Sequence, residues 1–246
     1  METIIELVPE NHYIKGAISG MCGILISHPI DTIKTHLQTH KTLSTLQYKP
    51  THLYRGIISP LLGVGLEKSL VFGTYNYCRN NNLNIPFSGA FSGLVASLIV
   101  TPYERIKILR QNQVTFDYKE CIKPKFLFKG LSATFTREVP GFSIYFSTYE
   151  LLKNKFYPNS NIDIVSSFIF GGIAGSTAWL FIYPQDRIKT IIQTTNKDKT
   201  NFLDIIKNMY NKGGIKYIYS GFSIAIARAI LLHSGTFCMM EILNKN

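Results

Sequence analysis

The stretch SHPIDTIKTHLQ, residues 27–38, places a proline, an acid and a base directly after an apolar, glycine-containing segment. The order recurs in TPYERIKILRQ at 101–111 and in YPQDRIKTIIQ at 183–193. Aligned on proline, the copies share Pro29, Asp31, Lys34 and Gln38, then Pro102, Glu104, Lys107 and Gln111, then Pro184, Asp186, Lys189 and Gln193. The prolines lie 73 and 82 residues apart, too far for a helical solenoid unit of about 34 to 47 residues. The chain therefore consists of three long repeats.

Two further landmarks keep this register. A Gly-x-x-x-Gly pair precedes each proline, at Gly16 and Gly20, Gly89 and Gly93, and Gly171 and Gly175, and an aromatic-x-Gly triplet ends at Gly56, Gly130 and Gly221. The apolar segments between the landmarks are roughly 13–33, 57–77, 86–106, 131–152, 164–188 and 221–242. Each is near the ~20 residues with which a helix spans a bilayer, and the glycine spacing suits close helix contact in lipid.

We therefore predict an all-α membrane protein with six transmembrane helices, arranged as three repeats of two. One domain, 1–246, would contain repeat one at 10–80, repeat two at 83–156 and repeat three at 162–246.

The composition agrees with a membrane protein. The chain is 46% hydrophobic and 17% charged, whereas soluble domains are about 25% charged. The net charge of +11 comes without a basic helix face or a zinc pattern, so we expect no nucleic-acid partner. The cysteines at 22, 78, 121 and 238 are too far apart for a C-x-x-C pair, so we expect no metal site and no disulfide scaffold. The N-terminus resembles neither a secretory signal nor an Arg-rich transit peptide.

The charges after each proline need a polar environment inside the membrane. A proline kink is tolerated there if neighbours satisfy the freed carbonyl, and we predict kinks at Pro29, Pro102 and Pro184. An acid and a base three residues apart point to one side of a helix, and each ionisable group in a span costs about 2.5–3.5 kcal/mol. Such groups are retained if they face a cavity and pair. The cyclic order predicts bridges of Asp31 with Lys107, Glu104 with Lys189, and Asp186 with Lys34.

These residues resemble the mitochondrial carrier family, whose signature is Pro-x-Asp/Glu-x-x-Lys/Arg-x-Lys/Arg-x-Gln once per repeat. The resemblance covers nearly the whole chain and implies a pseudo-threefold, multi-pass carrier of the mitochondrial inner membrane that works by alternating access. It implies a matrix gate formed by Asp31, Lys34, Glu104, Lys107, Asp186 and Lys189, braced by Gln38, Gln111 and Gln193. It also implies cardiolipin at the aromatic-x-Gly turns, where helix N-termini favour anions. We expect a monomer that is not an enzyme and needs no cofactor.

The chain departs from the family pattern in two places. The loops 39–53 and 112–127 are short and lack the usual Glu-Gly before a matrix helix, whereas repeat three keeps more of that helix in NFLDIIKNMYNKGGIKYIYSG. The cytosolic-gate motif is also incomplete: its six positions hold Asn76, Arg79, Glu150, Lys153, Glu241 and Asn244. The cyclic sense with the most bridges pairs Arg79 with Glu150, Lys153 with Glu241, and Asn244 with Asn76.

A substrate site is predicted from the register of the second helix of each repeat. Seven residues after the landmark glycines stand Gly63, Arg137 and Arg228, with Glu67 and Glu138 close by in sequence. The Arg137–Glu138 pair resembles carriers of ornithine and other basic amino acids, and carnitine carriers are close to this pattern. A purely structural bridge between Arg137 and Glu67 remains an alternative.

The compact, Ile-, Asn- and Lys-rich chain also resembles carrier-like proteins of giant DNA viruses, which implies nucleotides such as dATP and ADP, exchanged in a host mitochondrion. Against this, the chain lacks the Arg-Arg-Arg-Met-Met-Met run of ADP/ATP exchangers and has Ile24 where they place a lysine. We rank nucleotides first and a basic amino acid or carnitine/acylcarnitine second; uniport in place of exchange stays open.

Overall fold

The computed structural model describes residues 11–40, 53–54, 57–111, 123–158, 160–194 and 202–244. They form the helices α1 His12–His40, α2 Ile58–Asn80, α3 Ile85–Gln111, α4 Pro124–Leu127, α5 Leu131–Phe156, α6 Ile164–Thr194, α7 Phe202–Ile218 and α8 Phe222–Asn244. No strand occurs in these ranges. Each of the six long helices α1, α2, α3, α5, α6 and α8 begins within one residue of a predicted apolar segment, so the all-α prediction is confirmed. The helices α1, α3 and α6 continue beyond the predicted ends at 33, 106 and 188, to His40, Gln111 and Thr194.

The six long helices close into a ring in chain order. Each one packs against the helix before and the helix after it, and α8 returns to pack against α1. The first helices of the repeats are α1, α3 and α6, and the second helices are α2, α5 and α8. Because first and second helices alternate around the ring, equivalent residues of the three repeats face a common centre.

Helix pairing within a repeat depends on the predicted glycines. In every repeat the first glycine of the Gly-x-x-x-Gly pair lies against the backbone of the second helix, 12 residues after the landmark glycine. A Cβ on these glycines would lie 2.6 Å from the Lys68 carbonyl oxygen at Gly16, 2.6 Å from that of Phe142 at Gly89, and 2.7 Å from that of His233 at Gly171. Any side chain would therefore separate the two helices, and the shared register shows that the three repeats are built alike.

The signature prolines lie inside helices, as predicted. Pro29 is within α1, Pro102 within α3 and Pro184 within α6. A further proline, Pro140, lies within α5. Each proline removes one backbone donor from its helix, so these are the points at which the helices can bend.

Three of the described helices are apolar and long enough to cross a membrane, over Ile85–Ile106, Ile164–Asp186 and Phe222–Asn244. In contrast, α2 and α5 each contain an adjacent charged pair, Glu67–Lys68 and Arg137–Glu138, which lowers their hydropathy. Their outer faces are nevertheless apolar: Leu62 on α2 is 60% exposed and Leu151 on α5 is 70% exposed. Large exposed apolar faces are rare in soluble proteins and suit contact with lipid.

The matrix-side segments differ between repeats. Repeat three has the helix α7, in which Gly214 interrupts the helical backbone with φ 60°. Repeat two has the single turn α4, while residues 112–122 lie outside the described ranges, as do 41–52 in repeat one. Among the described residues, repeat three has a matrix-side helix of several turns, and the predictions for the matrix helices of repeats one and two fall largely outside the described ranges.

Candidate functional site

The five residues predicted to bind substrate lie around one cavity of about 260 Å³. Its wall contains Gly63, Glu67, Arg137, Glu138 and Arg228. The cavity lies where the second helices α2, α5 and α8 face the proline regions of α3 and α6. Register on the second helices thus predicted which residues face the interior.

Arg137 is held by three carboxylates from three helices. Its Nη1 donates to Oδ1 of Asp186 over 2.7 Å, and its Nη2 lies 3.5 Å from Oε1 of Glu104 and also donates to Glu138. The Arg137 side chain is 13% exposed and that of Glu138 is 6% exposed. A guanidinium suits this place because it offers five donors in a plane. Arg137 therefore joins α5 to α3 and α6.

Arg228 makes the equivalent contact in the third repeat. Its Nε donates to Oδ1 of Asp31 over 2.6 Å, which joins α8 to α1. Both arginines stand seven residues after a landmark glycine, and both reach the signature acid of the next repeat around the ring. The sequence analysis had assigned the arginines to the substrate site and the acids to the matrix gate, and the structure brings these two sets into direct contact.

The first repeat breaks this symmetry. Gly63 takes the place of the third arginine, and a Cβ on it would clash with the hydroxyl and ring of Tyr103. Glu104, the acid that a third arginine would reach, instead lies near Arg137. The cavity therefore has two arginine–carboxylate links and an aromatic wall on its third side.

The rest of the predicted matrix gate is only partly described. Asp31, Glu104 and Asp186 are placed as above. The side chains of their predicted partners Lys34, Lys107 and Lys189, and of the bracing Gln38, Gln111 and Gln193, lie outside the described part of the structure. The three predicted gate bridges therefore remain predictions.

Several cavity residues were missed from the sequence. Lys68, Tyr145, Trp179 and His233 also line the cavity. A register argument could have found two of them, since Lys68 and His233 both stand 12 residues after a landmark glycine. Trp179 stands five residues before Pro184, and Ile24 stands five residues before Pro29 in repeat one. A comparison of these equivalent positions could have identified Trp179.

Two residues of the predicted cytosolic gate bond to nearby backbone carbonyls in this conformation. The Asn76 amide donates to the Phe72 carbonyl of its own helix over 2.9 Å, and Arg79 donates to the Leu83 carbonyl. Among the ion pairs between described residues, none joins two members of this set. The proposed pairing order applies to the closed form of this gate and stays a prediction.

Three phenylalanines instead close the centre between the cavity and the cytosolic-gate motif. Phe72, Phe146 and Phe237 each stand 16 residues after a landmark glycine and are at most 4% exposed. Every pair packs edge to face, with centroids 5.4, 5.8 and 6.5 Å apart. This phenylalanine triad is an apolar layer with the same threefold register as the charged site.

Comparison with known proteins agrees with this architecture. Three consecutive parts of the chain, 7–86, 80–160 and 160–246, each match the family model described as mitochondrial carrier protein. The chain is 31% identical to the mitochondrial glycine transporter YMC1 of Saccharomyces cerevisiae, covering 93% of this chain and 89% of that protein. It is 30% identical to mitochondrial ornithine transporter 1 of the same yeast, with 94% of each chain covered. It is 29% identical to the mitochondrial carnitine/acylcarnitine carrier protein of Mus musculus, covering 96% and 94%.

Proposed function

Because this chain belongs to the mitochondrial carrier family, and is thus a transporter and not an enzyme, we propose that it exchanges small amino-acid-type metabolites across the mitochondrial inner membrane by alternating access. The substrate class meant is a compound that carries both a carboxylate and a cationic nitrogen. This class includes the second-ranked prediction from sequence, a basic amino acid or carnitine/acylcarnitine, and the charges of the cavity wall support it over nucleotides.

The observation that carries the proposal is the mixture of charges in the cavity wall. Glu67, Glu104 and Glu138 line it together with the three bases Lys68, Arg137 and Arg228. A zwitterion can place its ammonium beside an acid and its carboxylate beside a base. A nucleoside triphosphate would bring several negative charges close to three carboxylates, and like charges at close range repel strongly where water is scarce.

The names of the three relatives support the same class. Glycine, ornithine and carnitine, which those names mention, differ in size and charge, but each carries one carboxylate and at least one cationic nitrogen. Nucleotide exchange remains a prediction that the same experiment tests.

The test is counter-exchange in proteoliposomes. Purified protein is reconstituted with glycine, ornithine, carnitine, ADP or dATP inside, and uptake of each labelled compound is measured. We expect uptake of at least one carboxylate–ammonium compound, and only with a counter-substrate inside. Uptake into substrate-free liposomes would indicate uniport instead, and uptake of nucleotides alone would refute the proposed class.

Glu67→Gln separates the two substrate classes in one variant. If an ammonium binds at Glu67, loss of its charge should reduce exchange of a basic amino acid strongly. If the substrate is a nucleotide, the variant should exchange as the unaltered protein does, because a carboxylate is then of no benefit to binding.

Lipid contact is proposed at the landmark glycines. Gly130 and Gly221 have φ 89° and 84° and stand at the starts of α5 and α8, where free backbone N–H groups favour an anionic headgroup. We propose that a monomer binds cardiolipin there. Native mass spectrometry of the protein with added cardiolipin should show one chain with lipid bound, and a dimer or equal binding of a neutral lipid would contradict this.

A further inference from the structure

Lys68 differs from the two arginines of the cavity wall because no described carboxylate lies within ion-pair distance of its ammonium group. Arg137 is bound by three carboxylates and Arg228 by one. Lys68 forms no ion pair with any described residue, although its side chain is only 2% exposed. A buried ammonium in this state is costly unless other groups compensate it.

Two aromatic rings of the neighbouring repeat provide part of that compensation. The Lys68 Nζ lies 4.7 Å from the ring centroid of Phe142 and 5.0 Å from that of Tyr145. Both rings belong to α5, whereas Lys68 is on α2. Ring faces attract a cation without neutralising its charge, so the ammonium stays available to an anion in the cavity.

The stem of Lys68 is directed by the glycine packing. A Cβ on Gly20 would lie 2.7 Å from both Cβ and Cγ of Lys68, so the start of the side chain is pressed against α1. From there the ammonium extends towards the rings of α5 and the cavity. Lys68 is therefore positioned by α1, α2 and α5 together.

Two acids, Glu67 and Glu138, lie in the same cavity wall as Lys68. Glu138 already accepts from Arg137, and Glu67 is the chain neighbour of Lys68 on the same cavity wall. The adjacent acid and base match a substrate whose ammonium and carboxylate are close together.

We infer that Lys68 binds the carboxylate of the substrate and selects for compounds that have one, an inference that rests on the proposed amino-acid-type function. The two arginines are bound to the acids of the proline motif. The seven-residue spacing that identified them from sequence does not identify Lys68, which stands 12 residues after its landmark glycine. The rings of Phe142 and Tyr145 hold the ammonium in place until the substrate's carboxylate replaces them as its nearest partner.

The test compares competitors that differ only in the carboxylate. Ornithine against its decarboxylated analogue putrescine, and glycine against glycinamide, compete with the labelled substrate in the exchange assay. The measured quantity is the ratio of half-inhibitory concentrations within each pair. The unaltered protein should favour the carboxylate compound by about tenfold or more, as expected for a hydrogen bond to a charged group.

The decisive variant is Lys68→Met, which keeps the length of the stem and removes the charge. Its ratio should fall to about one, while Lys68→Arg should keep most of the preference. Lys15→Met, at a buried lysine of α1 outside the cavity wall, is the matched control and should leave the ratio unchanged. If Lys68→Met does not fold, Lys68→Gln retains a donor without the charge and should show the same loss.

The outcomes separate the two proposals. If the unaltered protein exchanges no compound with both a carboxylate and an ammonium, the proposed function is wrong whatever the variants do. If it exchanges one and Lys68→Met or Lys68→Gln keeps the full ratio, the role of Lys68 is wrong and the function stands. Equally weaker inhibition by both members of a pair, with their ratio unchanged, would show that Lys68 only supports the fold.

Discussion

The Nε of Arg228 donates to Oδ1 of Asp31 over 2.6 Å and so connects the last helix of the ring to the first. One partner was assigned from sequence to the substrate site and the other to the matrix gate. Arg228 lines the cavity, so a movement of its side chain would release Asp31. The contact therefore joins a residue predicted to bind substrate to a residue of the predicted matrix gate.

Reversal of this ion pair tests that link. Arg228→Asp and Asp31→Arg should each abolish exchange, because each places two like charges in contact. The double variant should recover part of the activity, since the attraction is restored in the opposite sense. Exchange rates in proteoliposomes measure this, and a double variant no better than the worse single one would contradict the pairing.

Arg137→Ala should destabilise the fold as well as abolish exchange. It leaves Glu104, Glu138 and Asp186 without the guanidinium that they share, and breaking a buried ion pair from one side costs about 3–5 kcal/mol. Thermal unfolding in detergent is the measurement, with Arg228→Ala as the matched control, because Arg228 contacts a single described carboxylate and should lose less stability.

A double variant tests whether repulsion among the unpaired carboxylates causes the loss of stability in Arg137→Ala. Adding Glu138→Gln to Arg137→Ala removes one of the stranded charges and should restore part of the melting temperature. If the second substitution lowers stability further, the three-carboxylate account of Arg137 is incorrect.

The cytosolic gate should become stronger when its missing charges are supplied. Asn76→Asp together with Asn244→Lys adds one ionic bridge, worth roughly 0–1 kcal/mol for a partly exposed pair, and should shift the population towards the matrix-open form. Each single substitution should do less. Accessibility of an introduced cysteine from the two membrane sides measures the shift, and strict additivity of the two changes would mean that positions 76 and 244 do not meet.

Loss of the phenylalanine triad should weaken the fold and open the cavity. Phe146 is 1% exposed and packs against both other members of the triad. Its replacement by alanine should cost about 3–5 kcal/mol and speed the labelling of a cysteine placed at Val64, in the cavity wall, from the cytosolic side. Phe87→Ala, at a ring that is 54% exposed, is the control. Equal melting temperatures for the two variants would argue against a sealing role.

Alanine at Gly89 should separate α3 from α5. Its Cβ would lie 2.6 Å from the Phe142 carbonyl oxygen, whereas a Cβ at Gly141 would lie 3.3 Å from Ile182 Cγ2. A backbone atom cannot move away without shifting its helix, but a side-chain methyl group can. Gly89→Ala should therefore melt well below Gly141→Ala, and comparable melting points would show that the helices can yield at this crossing.

Much of the fold was predictable because the sequence repeats it three times. The positions of the six long helices, the prolines inside α1, α3 and α6, and the glycines at the helix crossings all follow from spacing along the chain. The same spacing placed Arg137 and Arg228 on the inner face, because residues at one register of equivalent helices must face the same way. The side chains of the three lysines of the predicted matrix gate and of its three bracing glutamines, among them Lys34 and Gln38, lie beyond what the structure describes, so their pairing remains a prediction from sequence.

The sequence by itself determined the three repeats, the six long helices and the faces that meet at the centre, since these depend on periodicities within one helix. Only the tertiary structure decided that Arg137 joins Glu104, Glu138 and Asp186, that Arg228 joins Asp31, and that Lys68 reaches the rings of Phe142 and Tyr145. Such contacts depend on the distance and rotation between helices, which the packing of Gly20 and Gly89 sets. A long flexible side chain such as Lys68 can reach several neighbours, and the packing around it selects which one it meets.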